Sequence, residues 1–372
     1  MERRRDLLHL RKALIALLLC VSMLLNFAAA EENITPDAAS TVTVTFLGDC
    51  TLGSEDHFWE RDFSFVYYIN QLGYDYPFSL VQDVIGHDDL TVANLESVFY
   101  EYTANKQDKT YCFRAPTSFA KILTAGSVEA VNLSNNHSED YGARGIRTTV
   151  ETLENEGVNW FGTTEYANDV YIYEKDGVKI GFVGIYLTYW WAHNDMLKAN
   201  FQKLYDAECD VIVGVMHGGV EYSFYHEESQ RKLADYMIRM GASVVVGHHP
   251  HVLQGVDVRD NATIVYSLGN FVFGGNKAMR AYQSAMAQFT FSFDENGEYL
   301  GHQLNIIPCQ YSGSREYNDY RPFMFTGDEA EKVIEAMRRD SNIRLKPYVE
   351  GVGAVQDFVP APAKTETEAT NP

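Results

Sequence analysis

The chain has no Cys-x-x-Cys pair and only five cysteines in 372 residues. That spacing excludes the paired-thiol signatures of redox and zinc-ribbon sites. Cys50, Cys112, Cys209 and Cys309 lie far apart beyond the N-terminal segment. An exported protein permits disulfides, but small buried hydrophobes are the reading that fits these four best. Positive charge is also scarce. Lys and Arg number 30 against 51 Asp and Glu, for a formal net charge of -21. Such a surface repels phosphate backbones and anionic lipid, so nucleic acid is not an expected partner. An anionic substrate would need local metal ions or a few fixed Arg and Lys residues. No internal repeat is present. With 46% hydrophobic and 13% aromatic residues, the chain can build a large core.

The basic charge that exists is concentrated at the start. Arg3 to Lys12 form a basic segment, Ala13 to Ala30 are almost wholly apolar, and Ala28-Ala29-Ala30 offers small residues for a signal peptidase. Residues 1–30 therefore read as a signal peptide, with an N-terminal membrane anchor as the alternative. Either way, the positive-inside rule puts the body of the protein outside the cytoplasm, secreted or anchored to the membrane. Leu19 before Cys20 is too large for a lipoprotein site. Residues 31–40 read as a polar linker and 359–372 as a disordered tail.

Between them, strand-like runs alternate with helical ones. Thr41 to Leu47, Leu90 to Ala93, Ala130 to Leu133, Lys179 to Ile185, Asp210 to Met216, Ser243 to Val246 and Thr263 to Leu268 read as strands. Helices are expected over 117–126, 145–156, 227–240 and 326–340, and a hairpin over 286–307. This rhythm predicts an α/β fold whose strands are buried on both faces.

The chemically loaded residues stand just past the strand ends, which is where open α/β sheets build their sites. Gly247-His248-His249-Pro250-His251 is the densest case. Three histidines there have little packing value, and neutral imidazole is a common metal ligand. Residues i and i+2 of an extended segment point the same way, so His249 and His251 are expected to face one metal, with His248 pointing elsewhere. Other strand ends carry Asp49, Asn94 with Glu96, Asn135-Asn136-His137, and His217. Each alone could be a cap, a turn former or a solvated charge. Together they predict convergence on a site for divalent metal. Mixed Asp, Glu, Asn and His ligands suit Mn, Fe or Zn, and their number favours two ions, with Asp49 or Glu96 able to bridge them. His137, beside a ligand, could protonate a leaving oxygen. Cys50 adjoins Asp49, and thiolate ligation there is a lesser alternative.

Gly48-Asp49, Asn94-Leu95-Glu96, Asn135-Asn136-His137 with Asp140-Tyr141-Gly142, His217-Gly218-Gly219-Val220-Glu221-Tyr222, Gly247-His248-His249-Pro250-His251-Val252 and Tyr266-Ser267-Leu268-Gly269-Asn270-Phe271 follow in this order. The set resembles the CapA-type capsule (poly-γ-glutamate) synthesis family, related to calcineurin-like metallophosphatases, over about residues 41 to 308. The resemblance implies a four-layer αββα sandwich, a domain over 41–310 and a C-terminal extension over 311–358. It also implies a part in making or exporting an anionic envelope polymer, with membrane-embedded capsule synthase subunits as partners. By position, Asp49, Asn136, His217, His249 and His251 would be metal ligands, Glu96 would replace the bridging aspartate, and His137 would be the general acid. Two departures from the phosphatase pattern stand out: Thr51 replaces a histidine, and Asn94-Leu95-Glu96 replaces Gly-Asp-x-x-Asp. Asp140 and Glu221 could orient ligand histidines. Arg114 could meet a substrate carboxylate or phosphate, with a structural ion pair as the stronger alternative. Asn270 could support the site or make a turn.

Overall fold

The computed structural model describes residues 38–163, 169–275 and 280–362. The expected leader, most of the linker and most of the tail lie outside these residues. No helix among the described residues is long and apolar enough to cross a membrane.

Two sheets pack face to face. In the first, Ser40–Thr51 is central, with Gln283–Phe293 and then Tyr299–Gln310 on one side. Leu90–Leu95, Ala130–Asn132 and Asn159–Phe161 follow in parallel on the other. The second sheet runs Val256–Arg259, Ala262–Val265, Val244–His248, Val211–His217, Val178–Tyr186, Val170–Lys175. Val42, Val44 and Phe46 of the first sheet share one cluster with Phe182, Val213, Val215 and Val246 of the second. Alternation with period two puts them on a common inner face, which is why β-branched residues recur there. Helices cover both outer faces. Gly142–Glu156 packs Ile146, Val150 and Leu153 on the first sheet. Asn194–Asp206 and Glu228–Arg239 pack Leu197, Phe201, Leu233 and Met237 on the second. The result is the four-layer αββα sandwich.

The expected helices and hairpin are present with small shifts of their ends. Gly157, at φ 78°, closes the helix that precedes it, as a left-handed glycine does. Several elements were outside the sequence expectations, among them the helices Phe65–Leu72 and Asn194–Asp206 and the strands Asn159–Phe161, Val170–Lys175 and Val256–Arg259. One strand is differently placed. The expected Thr263–Leu268 run stops at Val265, the chain crosses between sheets, and Asn270–Phe273 pairs with Ser40–Thr51 instead. Toward the C-terminus, the helix Gly327–Arg338 buries Ala330, Val333, Ile334 and Met337 in the inter-sheet cluster. Val359 and Pro360 pair with His302 and Gly301, so ordered structure reaches the first residues of the expected tail. All four described cysteines are free thiols, three of them buried.

His302 joins the layers. Its imidazole contacts Thr263 Oγ1 of the facing sheet at 2.8 Å and the Tyr299 hydroxyl at 2.6 Å. Burial pushes its pKa down from 6.5 to about 3. The unfolded chain therefore takes the proton first. Stability held above pH 6.5 is lost as pH falls toward about 3, at about 1.4 kcal/mol per unit. Between pH 6.5 and 5 that is about 2 kcal/mol. Urea unfolding at the two pH values should show a loss smaller by about this amount in His302→Gln. An unchanged loss would remove His302 from the acid response.

Candidate metal centre

Every strand end with a loaded residue meets at the same edge of the sandwich. The first sheet supplies Asp49, Asn94 and Glu96, and the second supplies His217 and His248. A bulge aims Asp49. Phe46 pairs with Val92, but Asp49 pairs with Asn94, so the first strand carries one extra residue between them. Strict alternation would turn Asp49 away from the face of Phe46; the extra residue returns it. Cys50 then falls on the helix-covered face, among Leu47, Leu52 and Phe271. Burial pushes its thiol up to about 12, so thiolate ligation by Cys50 is not supported.

Two groups of ligand atoms form among the described residues. One is Asp49, Glu96 and His251, and the other is Glu96, His217 and His249; within each, the atoms lie within 4.8 Å of one another. Glu96 belongs to both. The expectation that His249 and His251 face one ion in an extended segment does not hold. The strand ends at His248, and His249 and His251 adopt φ of 99° and 58°. This left-handed backbone sends the two rings to different groups. His248 is also nearer than expected: its Nδ1 lies 3.4 Å from Asp49 Oδ1.

Amides knit the groups together. Asn94 Nδ2 donates to Asp49 Oδ1 at 2.9 Å and lies 3.2 Å from His217 Nδ1. Asn94 Oδ1 in turn accepts from Asn132 Nδ2 at 2.9 Å and Asn135 Nδ2 at 3.3 Å. Asn136 Oδ1 and His217 Nε2 are 2.7 Å apart. Asn270 Oδ1 lies 2.9 Å from His251 Nδ1 and holds that ring. His137 Nδ1 lies 2.8 Å from Asp140 Oδ2, while its Nε2 is 3.9 Å from Glu96 Oε1. Asp140 is itself fixed by Lys109 Nζ and the Phe113 amide.

Two expected residues stand apart from this assembly. The Arg114 guanidinium is consumed by Asp56, by the carbonyls of Tyr100 and Glu101, and by the Trp59 ring 3.7 Å away. It is a structural ion pair. Glu221 is exposed and makes no hydrogen bond to a cluster histidine among the described residues, so it does not orient one. Two residues were missed. Asn132 ends an otherwise apolar strand, and that lone buried amide was a usable signal. Lys109 sits in a loop with no pattern to mark it.

The donor set fits divalent cations. Both Glu96 carboxylate oxygens are fully buried and have no hydrogen-bond partner among the described residues, and the same holds for Nδ1 of His249. Buried carboxylate oxygens are rarely left this way without a charge to meet them. Burial holds His217 well below the usual histidine range and His249 at about 4, where both are neutral and able to ligate. Burial pushes Glu96 well up, with the Asp49 charge adding to the shift and His251 opposing it. Burial also opposes charge on Asp49 and His251. Hydrogen bonds from His248 and His251 still hold Asp49 low, and Glu96 and Asp49 still raise His251 to about 9.

Comparison with known proteins agrees with this geometry. The model of the bacterial capsule synthesis protein PGA_cap matches residues 43–275. The capsule biosynthesis protein CapA of Bacillus anthracis is 30% identical over 317 residues, 79% of this chain and 74% of that protein. The PGA biosynthesis protein CapA of Bacillus subtilis is 26% identical over 326 residues, 82% and 80% of the two chains. Among solved structures, a 5'-nucleotidase from Candida albicans superposes with TM-score 0.40 at 9% identity, over 80% of this chain and 57% of that one. That score is too low to bear on function, and the layer order above rests on this chain's own sheets. A single family model thus spans the strand ends that supply Asp49, Glu96, His217, His249 and His251, and the chain belongs to the PGA_cap family of bacterial capsule synthesis proteins.

Proposed function

We propose that the protein is a metal-dependent hydrolase or transferase that acts outside the cytoplasm on an anionic envelope polymer or its precursor. One observation carries this reading: two ligand groups share Glu96, whose buried oxygens have no hydrogen-bond partner among the described residues. Asp49 and His251 would hold one ion and His217, His249 and Asn136 the other, with Glu96 between them. A bound pair of Mn, Fe or Zn ions supplies an acidified water and charge stabilisation for attack on phosphorus or a carbonyl. The names of the Bacillus relatives, which refer to capsule and PGA biosynthesis, support the polymer as substrate class. The apolar N-terminal segment supports an extracytoplasmic site beside a membrane synthase.

The chain's own residues supply the proton. Asp140 accepts a hydrogen bond from His137 Nδ1 and fixes the ring, which leaves Nε2 turned toward Glu96. Nε2 of the neutral ring takes up a proton from water, and the resulting imidazolium, stabilised by Asp140, passes that proton from Nε2 to the leaving oxygen or nitrogen. Phe113 packs on its other side with ring centroids 4.5 Å apart and limits water. His137→Ala should keep its metal and lose turnover of a phosphoester or γ-glutamyl substrate by about 100-fold or more. Full activity in that variant would remove the general-acid role.

Thr51 favours a second reading, a non-catalytic subunit that holds the polymer in the same pocket during export. It is fully buried with an unpartnered hydroxyl, where metallophosphatases carry a histidine. The Asp49 group is then one imidazole short. Bound metal without turnover across phosphoester, amide and ester substrates would select this reading.

A further inference from the structure

The mouth of the site is negative. Asp49, Glu96 and Asp140 are inside it and Glu221 is exposed beside it. An anionic polymer needs a fixed cation there, and the cations nearby are unequal. Lys109 is bound to Asp140 and to the Asn136 carbonyl. Arg280 is exposed and makes no ion pair among the described residues. Its guanidinium carbon lies 4.9 Å from the centroid of the Tyr222 ring. That ring in turn stands 6.1 Å from the ring of His251. One aromatic ring therefore separates a free guanidinium from a cluster histidine.

Tyr222 is firmly placed for this task. It follows Gly218 and Gly219, both left-handed or nearly extended at φ 159° and 120°. Tyr222 itself has φ 61°, costly for an aromatic residue, and its amide donates to the Pro250 carbonyl at 2.7 Å. The loop is thus tied to the His249-Pro250-His251 turn. A guanidinium lying over an aromatic face keeps its edge N–H groups free, and that fork fits a carboxylate or phosphate bidentately.

We propose that Arg280, stacked on Tyr222, is a binding station for an anionic group of the substrate outside the bond that reacts. A polymer whose reacting bond sits at Glu96 presents its neighbouring charges beyond the ligand groups, where Arg280 stands. The station rests on the proposed function only in that substrate reaches this mouth.

The test is binding by metal-loaded protein of two probes, a short γ-linked oligoglutamate and a short-chain polyphosphate, read by calorimetry. Arg280→Ala should weaken whichever probe the wild type binds by about tenfold to a hundredfold, with metal content unchanged. Arg280→Lys should recover only part, because an ammonium lacks the fork. Tyr222→Phe should bind as wild type, and Tyr222→Ala should lose affinity as Arg280→Ala does. A loss confined to oligoglutamate marks a carboxylate station, and one confined to polyphosphate marks a phosphate station. Wild type that binds neither probe, or Arg280→Ala that binds both as tightly as wild type, overturns the station. The metal content of the same samples reports separately on the site itself, so the two readings fail independently.

Discussion

Glu96→Gln should strip the protein of both ions at once. Glu96 is common to the Asp49–His251 and His217–His249 groups, so no other single ligand should have so wide an effect. Loss of a ligand should exceed the roughly 10- to 100-fold loss of affinity typical of outer partners. His217→Ala or His249→Ala should instead empty one group and leave Asp49, Glu96 and His251 together. The stability of the metal-free protein should not fall with it. Both Glu96 oxygens are buried without hydrogen-bond partners among the described residues, and burial pushes the carboxyl toward its neutral form, so Glu96→Gln exchanges one uncharged unpaired polar group for another and loses no stabilising hydrogen bond. Metal-free Glu96→Gln should therefore melt at or above metal-free wild type. A lower melting temperature together with retained metal would mean that Glu96 is a structural carboxylate.

Gly48→Ala should damage both fold and site. A methyl group there would stand 2.2 Å from the Gly269 carbonyl oxygen and 3.2 Å from that of Leu268. Those atoms are backbone and cannot swing aside. The Asp49 amide donates to the same Gly269 oxygen at 2.9 Å, and Asp49 pairs with Asn270 across the same gap. Separating the strands would therefore move Asp49, Asn270 and, through Asn270, the His251 ring. Overpacking of this kind costs about 1–3 kcal/mol and sometimes more. Gly157→Ala is the control: φ is 78° but nothing lies within 4 Å, so only backbone strain of about 1–2 kcal/mol is expected. Urea midpoints and metal content should separate the two. Equal stability of the two variants would mean that the Gly48–Gly269 contact is soft.

The residues at the centre were legible because they break patterns. His217 ends a continuous apolar strand, and an imidazole there has no packing role. Glu96 directly follows one buried strand and Asp49 lies near the end of another. Partition of the ligands was not legible, because it depends on backbone that periodicity does not encode. The positive φ at His249 and His251 and the bulge before Asp49 are tertiary outcomes. The same is true of the crossing after Val265 that brings Asn270 to Asp49. A basic residue near carboxylates reads alike whether it meets substrate or an ion-pair partner, and for Arg114 the structure shows the ion pair, with Asp56, that the sequence favoured. Lys109 and Arg280 lie in loops, where charge carries no positional signal.

The most direct measurement is the metal content of residues 31–372, purified without chelator and analysed by elemental mass spectrometry beside Glu96→Gln. Shared ligation by Glu96 predicts about two Mn, Fe or Zn ions per wild-type chain and almost none in the variant. No metal in the wild type after reconstitution, or equal content in both proteins, would contradict it.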